Sequence, residues 1–176
     1  IGKGLLSASV GANVTKTRVV GPIKVSEALQ NQEHILFNRE EIARVEHAQP
    51  NFKITSLIAY ELDKFKVRLG NTYYGEVQFI HPDDGDSTNW VVNDNTGFVE
   101  TRDQTFTPKL VTDLSFSYQL LDFLNFTIGG NNIFNVYPDK HTHTSNINNG
   151  NFVYSRRVQQ FGVNGANFYT RLLIRL

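Results

Sequence analysis

Cysteine is absent from this 176-residue chain, which removes disulfide frameworks, thiolate metal sites and cysteine nucleophiles together. The absence is compatible with an oxidising compartment, where a stray thiol mispairs, without requiring one. Methionine is absent too, position 1 included, so the sequence reads as a processed chain or a piece of a longer product. Neither sign of charge is in excess: 17 Lys plus Arg balance 17 Asp plus Glu. That balance leaves no compositional case for a nucleic-acid partner, and no block of like charges marks a tail. No window of about 18 apolar residues exists, so no transmembrane helix is expected. What the chain has in quantity is aromatic side chains, 13 Phe and 7 Tyr, a content that disordered chains lack.

The dominant period is two. Leu110, Thr112, Leu114, Phe116, Tyr118 and Leu120 share one parity, against Val111, Asp113, Ser115, Ser117 and Gln119. Phe65, Val67, Leu69, Asn71 and Tyr73 alternate with Lys66, Arg68, Gly70 and Thr72. Strict alternation is the mark of strands with one apolar and one polar face. Six long strands are expected, at roughly 3–17, 51–62, 64–79, 109–120, 124–135 and 153–176, the last entered late. The fold class is therefore all-β, an antiparallel up-and-down meander. The joints at Leu62-Asp63-Lys64-Phe65 and Leu121-Asp122-Phe123-Leu124 are tight, whereas those at 18–50, 76–108 and 135–165 are long. Such alternation of short and long connections is the habit of a transmembrane β-barrel; a soluble sandwich shows turn signals every 8–12 residues or so. The long joints carry turn chemistry, as in His81 to Ser87 and Asn146 to Asn151. One short helix is a candidate: Asn38 and Glu41 form a capping-box pattern and Ile42 and Val45 share a face. The same stretch is equally compatible with a strand.

Parity alone does not choose between a soluble sheet and a membrane wall. Strands of about 11 residues match what a tilted strand needs to cross a bilayer. Rings lie near strand ends, among them Phe52, Tyr60, Phe65, Tyr73, Tyr118 and Phe126, where interfacial girdles form. The competing reading is a soluble all-β ligand-binding or adhesin-like module with an aromatic core.

Longer motifs bear on this choice. The run Leu124-Asn125-Phe126-Thr127-Ile128-Gly129-Gly130-Asn131-Asn132-Ile133-Phe134-Asn135, followed by Val136-Tyr137-Pro138-Asp139, resembles the penultimate strand and loop exit of TonB-dependent outer-membrane receptors. Phe37-Asn38-Arg39-Glu40-Glu41, with Gln49-Pro50-Asn51-Phe52-Lys53, is similar to a stretch that precedes a strand in that family, and Thr72-Tyr73-Tyr74-Gly75-Glu76-Val77 to a later one. Tyr154 to Gly165 and the alternating end from Tyr169 to Leu176 resemble the family's approach to, and closing of, its last strand. The resemblance implies a barrel of about 22 strands with a plugged lumen, of which residues 1–176 would be the C-terminal portion. It further implies a bacterial outer-membrane location and uptake of a scarce ligand such as a ferric siderophore, haem, cobalamin or glycan. The partners would be outer-membrane lipid, the rest of the barrel and its plug, and the TonB system reached through upstream segments.

Catalytic signatures are not found: no G-x-S-x-G elbow or other triad pattern is present, so the chain is not expected to be an enzyme, and no cofactor is expected. His141 and His143, spaced i, i+2, are weak candidates for a transition metal. Asp83, Asp84 and Asp86 around Gly85 are weak candidates for a hard cation, without the spaced ligand loop a calcium site uses. For both groups a solvated loop is the plainer reading. Arg156 and Arg157 suit an anionic ligand or charge satisfied at a loop base. Trp90, His141, His143, Arg156 and Arg157 are the ligand-facing loop candidates.

Overall fold

The computed structural model describes residues 3–21, 24–147, 152–158 and 160–175. Positions 148–151, Gln159 and Leu176, which belong to the expected loop and last strand, lie outside the described residues. Six long strands form one antiparallel sheet: β1 (Leu5–Val14), β2 (Phe52–Leu62), β3 (Phe65–Tyr74), β8 (Lys109–Leu121), β9 (Leu124–Asn131) and β10 (Asn167–Ile174), paired in that order. The all-β meander expected from periodicity is thus the observed fold. Two-residue turns, Asp63-Lys64 and Asp122-Phe123, close one end of the sheet. Asp63 takes a left-handed φ of 50° there, a conformation that Asp tolerates better than most residues. The three long connections all leave from the other end, where Val14 faces Phe52, Tyr74 faces Lys109 and Asn131 faces Asn167.

Register carries the alternation coherently across the sheet. On one face a row runs Ala8, Ile58, Leu69, Leu114, and a second runs Tyr60, Val67, Phe116, Ile128. On the other face Ala59, Arg68 and Ser115 line up, as do Glu61, Lys66, Ser117, Thr127 and Arg171. Glu61 and Lys66 form an ion pair there. The apolar face stays uncovered: Val10 is 75% exposed, Leu110 51%, Ile128 50% and Leu172 58%. One polar row crosses it at Ser56, Asn71 and Thr112. There the Thr112 hydroxyl donates to Asn71 Oδ1 at 2.8 Å.

Several boundaries differ from the expectation. The strand expected over 64–79 ends at Tyr74, and after Gly75-Glu76 the chain resumes as β4 (Val77–Phe79), paired with β7 (Gln104–Phe106). The register of β3 with β8 continues unshifted into β4 and β7. The break falls opposite Thr107-Pro108, where proline has no N–H to give the ladder. Gly75 also sits where a Cβ would stand 3.0 Å from the Phe52 ring, and its N–H donates to the Phe52 carbonyl. A second hairpin, β5 (Val91–Asn93) with β6 (Phe98–Glu100), turns through Gly97 at φ 77°. Among the described residues of the expected last strand, β10 is the extended part. Ahead of it lie a single bridge, Lys140 to Tyr154, and a 3-10 turn at Arg156–Val158.

The helix candidate is real. After a single turn α1 (Glu33–Leu36), α2 spans Arg39–Glu46 with Asn38 as its cap, the side chain accepting from Glu41 N at 3.0 Å. Its buried face is not the one expected: Ala43 is buried, whereas Val45 is 51% exposed. The reason is that α2 packs on β4 along its Ala43 side, and Gln78 N donates to the His47 carbonyl beyond the helix end.

Among the described residues, the buried apolar ones, Ala59 apart, lie outside the main sheet, at Ala43, Ala48, Val77, Phe106 and Val158. Val77, Phe106 and Val158 cluster, with Phe79 and Tyr154 packed against them. The long connections therefore build a small cored body at one end of a sheet that has no comparable core of its own.

Candidate functional site

The first two residues of α2 organise this body. Arg39 meets Asp103 with two parallel bonds, 2.7 and 3.0 Å, and donates to the His81 carbonyl at 2.8 Å. Asp103 also accepts from His81 N at 2.7 Å. Forked pairing of guanidinium with carboxylate fixes orientation as well as distance. The adjacent Glu40 accepts from Arg156 at 3.1 Å and Arg157 at 2.9 Å. Two neighbouring helix residues thus hold the 75–108 and 132–166 connections.

Between these connections lies a cleft of about 580 Å³. Phe79, Phe152 and Tyr154 supply its rings, His81 and His141 its imidazoles, and Glu40 and Arg156 its charges. His141 lies edge-on to Phe79 and Phe106, with centroids 5.5 and 5.7 Å apart. Burial pushes the His141 imidazole below its ordinary range, and its buried Nδ1 has no partner among the described residues. Burial also lowers His81, assisted by the Arg102 charge and opposed by Asp84, Asp83 and Glu40. Both rings are therefore neutral near pH 7.

The other candidates are placed as follows. His143 is buried and does not join His141 in the cleft, because the chain bends at Thr142 and His143. Its Nδ1 accepts from Ser145 N at 3.1 Å and its Nε2 faces the Val91 carbonyl at 3.4 Å. Asp84 has a fully buried carboxylate bound by Arg102 and by the Thr101 hydroxyl. Burial alone would raise its pKa, but the bonds from Arg102 outweigh that and hold it below the usual carboxylate range. Asp86 caps a 3-10 turn by accepting from Thr88 N at 2.9 Å, and Asp83 is exposed. The three aspartates are thus spread over separate tasks. No group of three or more His, Cys, Asp or Glu side chains suited to a metal occurs among the described residues. Trp90 lies beside this network, its Nε1 donating to the Asp84 carbonyl at 3.4 Å. Of the sequence candidates, the cleft brings together His141 and Arg156, with Arg157 behind them on Glu40. His81, Glu40 and the three rings were not anticipated. The only sequence signal for His81 was its place at the head of a Pro-Asp-Asp-Gly turn.

No family model and no curated protein matches the chain. Among solved structures, a point mutant of the ferric enterobactin receptor from Pseudomonas aeruginosa is similar in fold, with 17% sequence identity and a TM-score of 0.49. The likeness covers 72% of this chain and 16% of that receptor.

Proposed function

We propose that this chain is a C-terminal part of the wall of a TonB-dependent outer-membrane receptor, which takes up a scarce ligand too large for porins. One observation carries the reading: a single-layer sheet of six strands presents an uncovered apolar face with rings toward its ends. Soluble monomers rarely expose contiguous apolar area beyond a few hundred Å², whereas a barrel wall must present it to lipid. Three features support it. The strands of the sheet, 8 to 13 residues long, bracket the length a tilted strand needs. Connections alternate between two-residue turns and long segments. The motifs from Phe37 to Lys53 and from Leu124 to Asp139 resemble the family's. In this reading the turn end is periplasmic and the cored loop body stands outside the cell. The plug and the segment that meets TonB belong to upstream sequence, and β1 and β10 find their second neighbours in the rest of the barrel. Hydrocarbon leaves no alternative for such edges, since each unpaired backbone group there costs several kcal/mol.

Detergent dependence and cell fractionation test this. Within the longer protein the chain should fractionate with outer membranes, and expressed alone, with β1 and β10 as open edges, it should self-pair or aggregate in plain buffer. A soluble, monodisperse 176-residue chain in plain buffer would overturn the reading in favour of a binding module.

A further inference from the structure

We infer that the polar face of the sheet seats a polypeptide segment bearing carboxylate side chains, held by Arg68 and Arg171. The inference deepens the receptor reading and rests on it for where that segment lies. In that reading the polar face looks into the barrel, and the segment belongs to the longer protein outside residues 1–176.

Charge selects the sign. Every charged residue of the six long strands stands on this one face: Lys53, Lys66, Arg68, Lys109 and Arg171 against Glu61 and Asp113. Most of the cations are engaged. Lys66 pairs with Glu61 and Lys109 with Asp139, and Lys53 lies over the Tyr74 ring at 5.2 Å. Asp113 accepts from Asn132 N at 2.8 Å. Arg68 and Arg171 are exposed, and among the described residues neither has a carboxylate within ion-pair reach. A guanidinium stays charged and matches a carboxylate fork to fork. Two such groups unmatched on a wall of surplus positive charge call for an acidic partner.

Shape points to a chain as that partner. Between the two arginines the floor is low: Ser115 and Gly129 form one row, Ser117 and Thr127 the next. The Ser117 and Thr127 hydroxyls are 2.8 Å apart. Arg68 and Tyr169 stand at the two ends of the Ser115–Gly129 row. The Tyr169 ring lies across Gly129, where a Cβ would meet it at 2.6 Å. Arg68, Gly70, Ser115 and Tyr169 border a hollow of about 230 Å³, room for a few side chains. Arg171 is three strands and two residues away from Arg68 in register, which is about 14 Å across and about 7 Å along the sheet. That spacing suits carboxylates on two positions of one chain better than one compact anion, and the hydroxyl floor can bond the polar groups between them.

The test uses the longer protein that carries this chain, purified from its membrane in detergent, and a carbodiimide, which joins an amine to a carboxylate in contact with it. Arg68→Lys and Arg171→Lys each place an amine and keep the charge. The Lys66–Glu61 pair, on the same face, is the internal control. Peptide mass spectrometry should find position 68, position 171 or both joined to an Asp or Glu outside residues 1–176. Arg68→Glu combined with Arg171→Glu should speed hydrogen exchange in the joined segment about tenfold or more, the equivalent of one lost charge-assisted bond, and leave β3 and β8 protected. With Lys66 and Glu61 joined, the absence of any such link, or links confined to Asp113 and Glu61, would overturn the inference, as would exchange unchanged by the double reversal. Failure of the receptor reading shows separately, as a longer protein that does not fractionate with outer membranes, whatever the links.

Discussion

A charge carried through the apolar face by depth gives the sharpest test of lipid contact. Leu110, Leu114 and Tyr118 share one face of β8 and differ mainly in height. Leu114 pairs laterally with Leu69. Four residues above it Leu110 pairs with Tyr73, and four below it Tyr118 pairs with Phe65. At about 3.3 Å per residue, four residues are about 13 Å along the strand. A tilt of about 40° reduces that to about 10 Å of depth on each side. The rings then stand about 20 Å apart across an apolar band that is typically about 25 Å tall, with Leu114 close to its middle. Leu114→Arg should cost about 2–4 kcal/mol, and Leu110→Arg and Tyr118→Arg, near the two interfaces, about 0–1 kcal/mol each. Thr55→Arg, on the opposite face between Gly11 and Thr72, should cost no more than about 0.5 kcal/mol. Reversible urea unfolding, in lipid vesicles, of the longer protein that carries this chain, with heat-dependent gel mobility as the folding check, measures all four. The peak at mid-depth is the point of the experiment. A protein core covering this face would penalise Leu110→Arg and Leu114→Arg alike. Equal costs along β8, or a cost at Leu114 below about 0.5 kcal/mol, would refute lipid exposure.

Thr112→Val should cost about 1–3 kcal/mol by stranding the Asn71 carbonyl, while the double change with Asn71→Leu should recover most of it, as read by the same unfolding assay. Glu40→Gln should leave the buried Arg157 charge unmatched and loosen the loop body by about 3 kcal/mol, with hydrogen exchange rising at Arg156–Val158 and not in β3 or β8. His81 and His141 both lie below the ordinary imidazole value of 6.5 in the folded protein, so the unfolded chain takes up protons first. The loop body should therefore hold full stability above about pH 6.5 and lose it as pH falls toward the folded values, with Trp90 emission following the change and His81→Gln with His141→Phe flattening it. Cysteines placed at Asn95 and Gly85 should label from outside intact cells and one at Asp122 should not, because the first two lie on long connections and the third on a two-residue turn; equal labelling of all three would break the topology.

The sheet was legible because each long strand repeats its own evidence. Ten alternating positions in Leu110 to Gln119 state the period several times over, and the tight Asp63-Lys64 and Asp122-Phe123 joints fix which strands are neighbours. Asn38 was legible for a local reason as well: a cap needs only a side-chain oxygen three residues before a free N–H. The three-residue strands β4 to β7 were not. A strand that short shows no period, and only Asn95-Thr96-Gly97 between two Val- or Phe-bearing pairs hinted at the β5–β6 hairpin. The site was less legible still, because its logic is long-range. Asp84 was read as a weak cation candidate in a solvated loop, and its partner Arg102 lies 18 residues later. Glu40 gave no sign of its role, since Arg156 and Arg157 lie 116 and 117 residues away. His141 and His143 share a parity, yet the bend at Thr142 and His143 sends one to the cleft and the other to the β5 backbone.

The location of the core supports the membrane reading from a second direction. A water-exposed body has to exclude water from an apolar centre, because burial is what offsets the entropy lost on ordering its chain. A wall in hydrocarbon has no such need, and its strands are held by backbone pairing that lipid cannot replace. This chain divides its residues in that way. Phe106, Val77 and Val158, exposed by 1%, 3% and 3%, lie beyond the ladder end, with ion pairs from Arg39 and Glu40 tying the surrounding connections. Leu6, Val10, Phe168 and Leu172, exposed by 67%, 75%, 75% and 58%, lie on the sheet. Leu6 and Leu172 lie beside the rings of Tyr60 and Phe126, Phe168 beside Gly130, and Val10 beside Ser56 of the one polar row. Residues of the same chemistry are thus buried in one region and presented in the other, and the line between them falls at Gly75 and Pro108, where the β3–β8 ladder breaks. In the proposed orientation that line marks the outer limit of the bilayer, with Tyr73 and Tyr74 as the last rings below it.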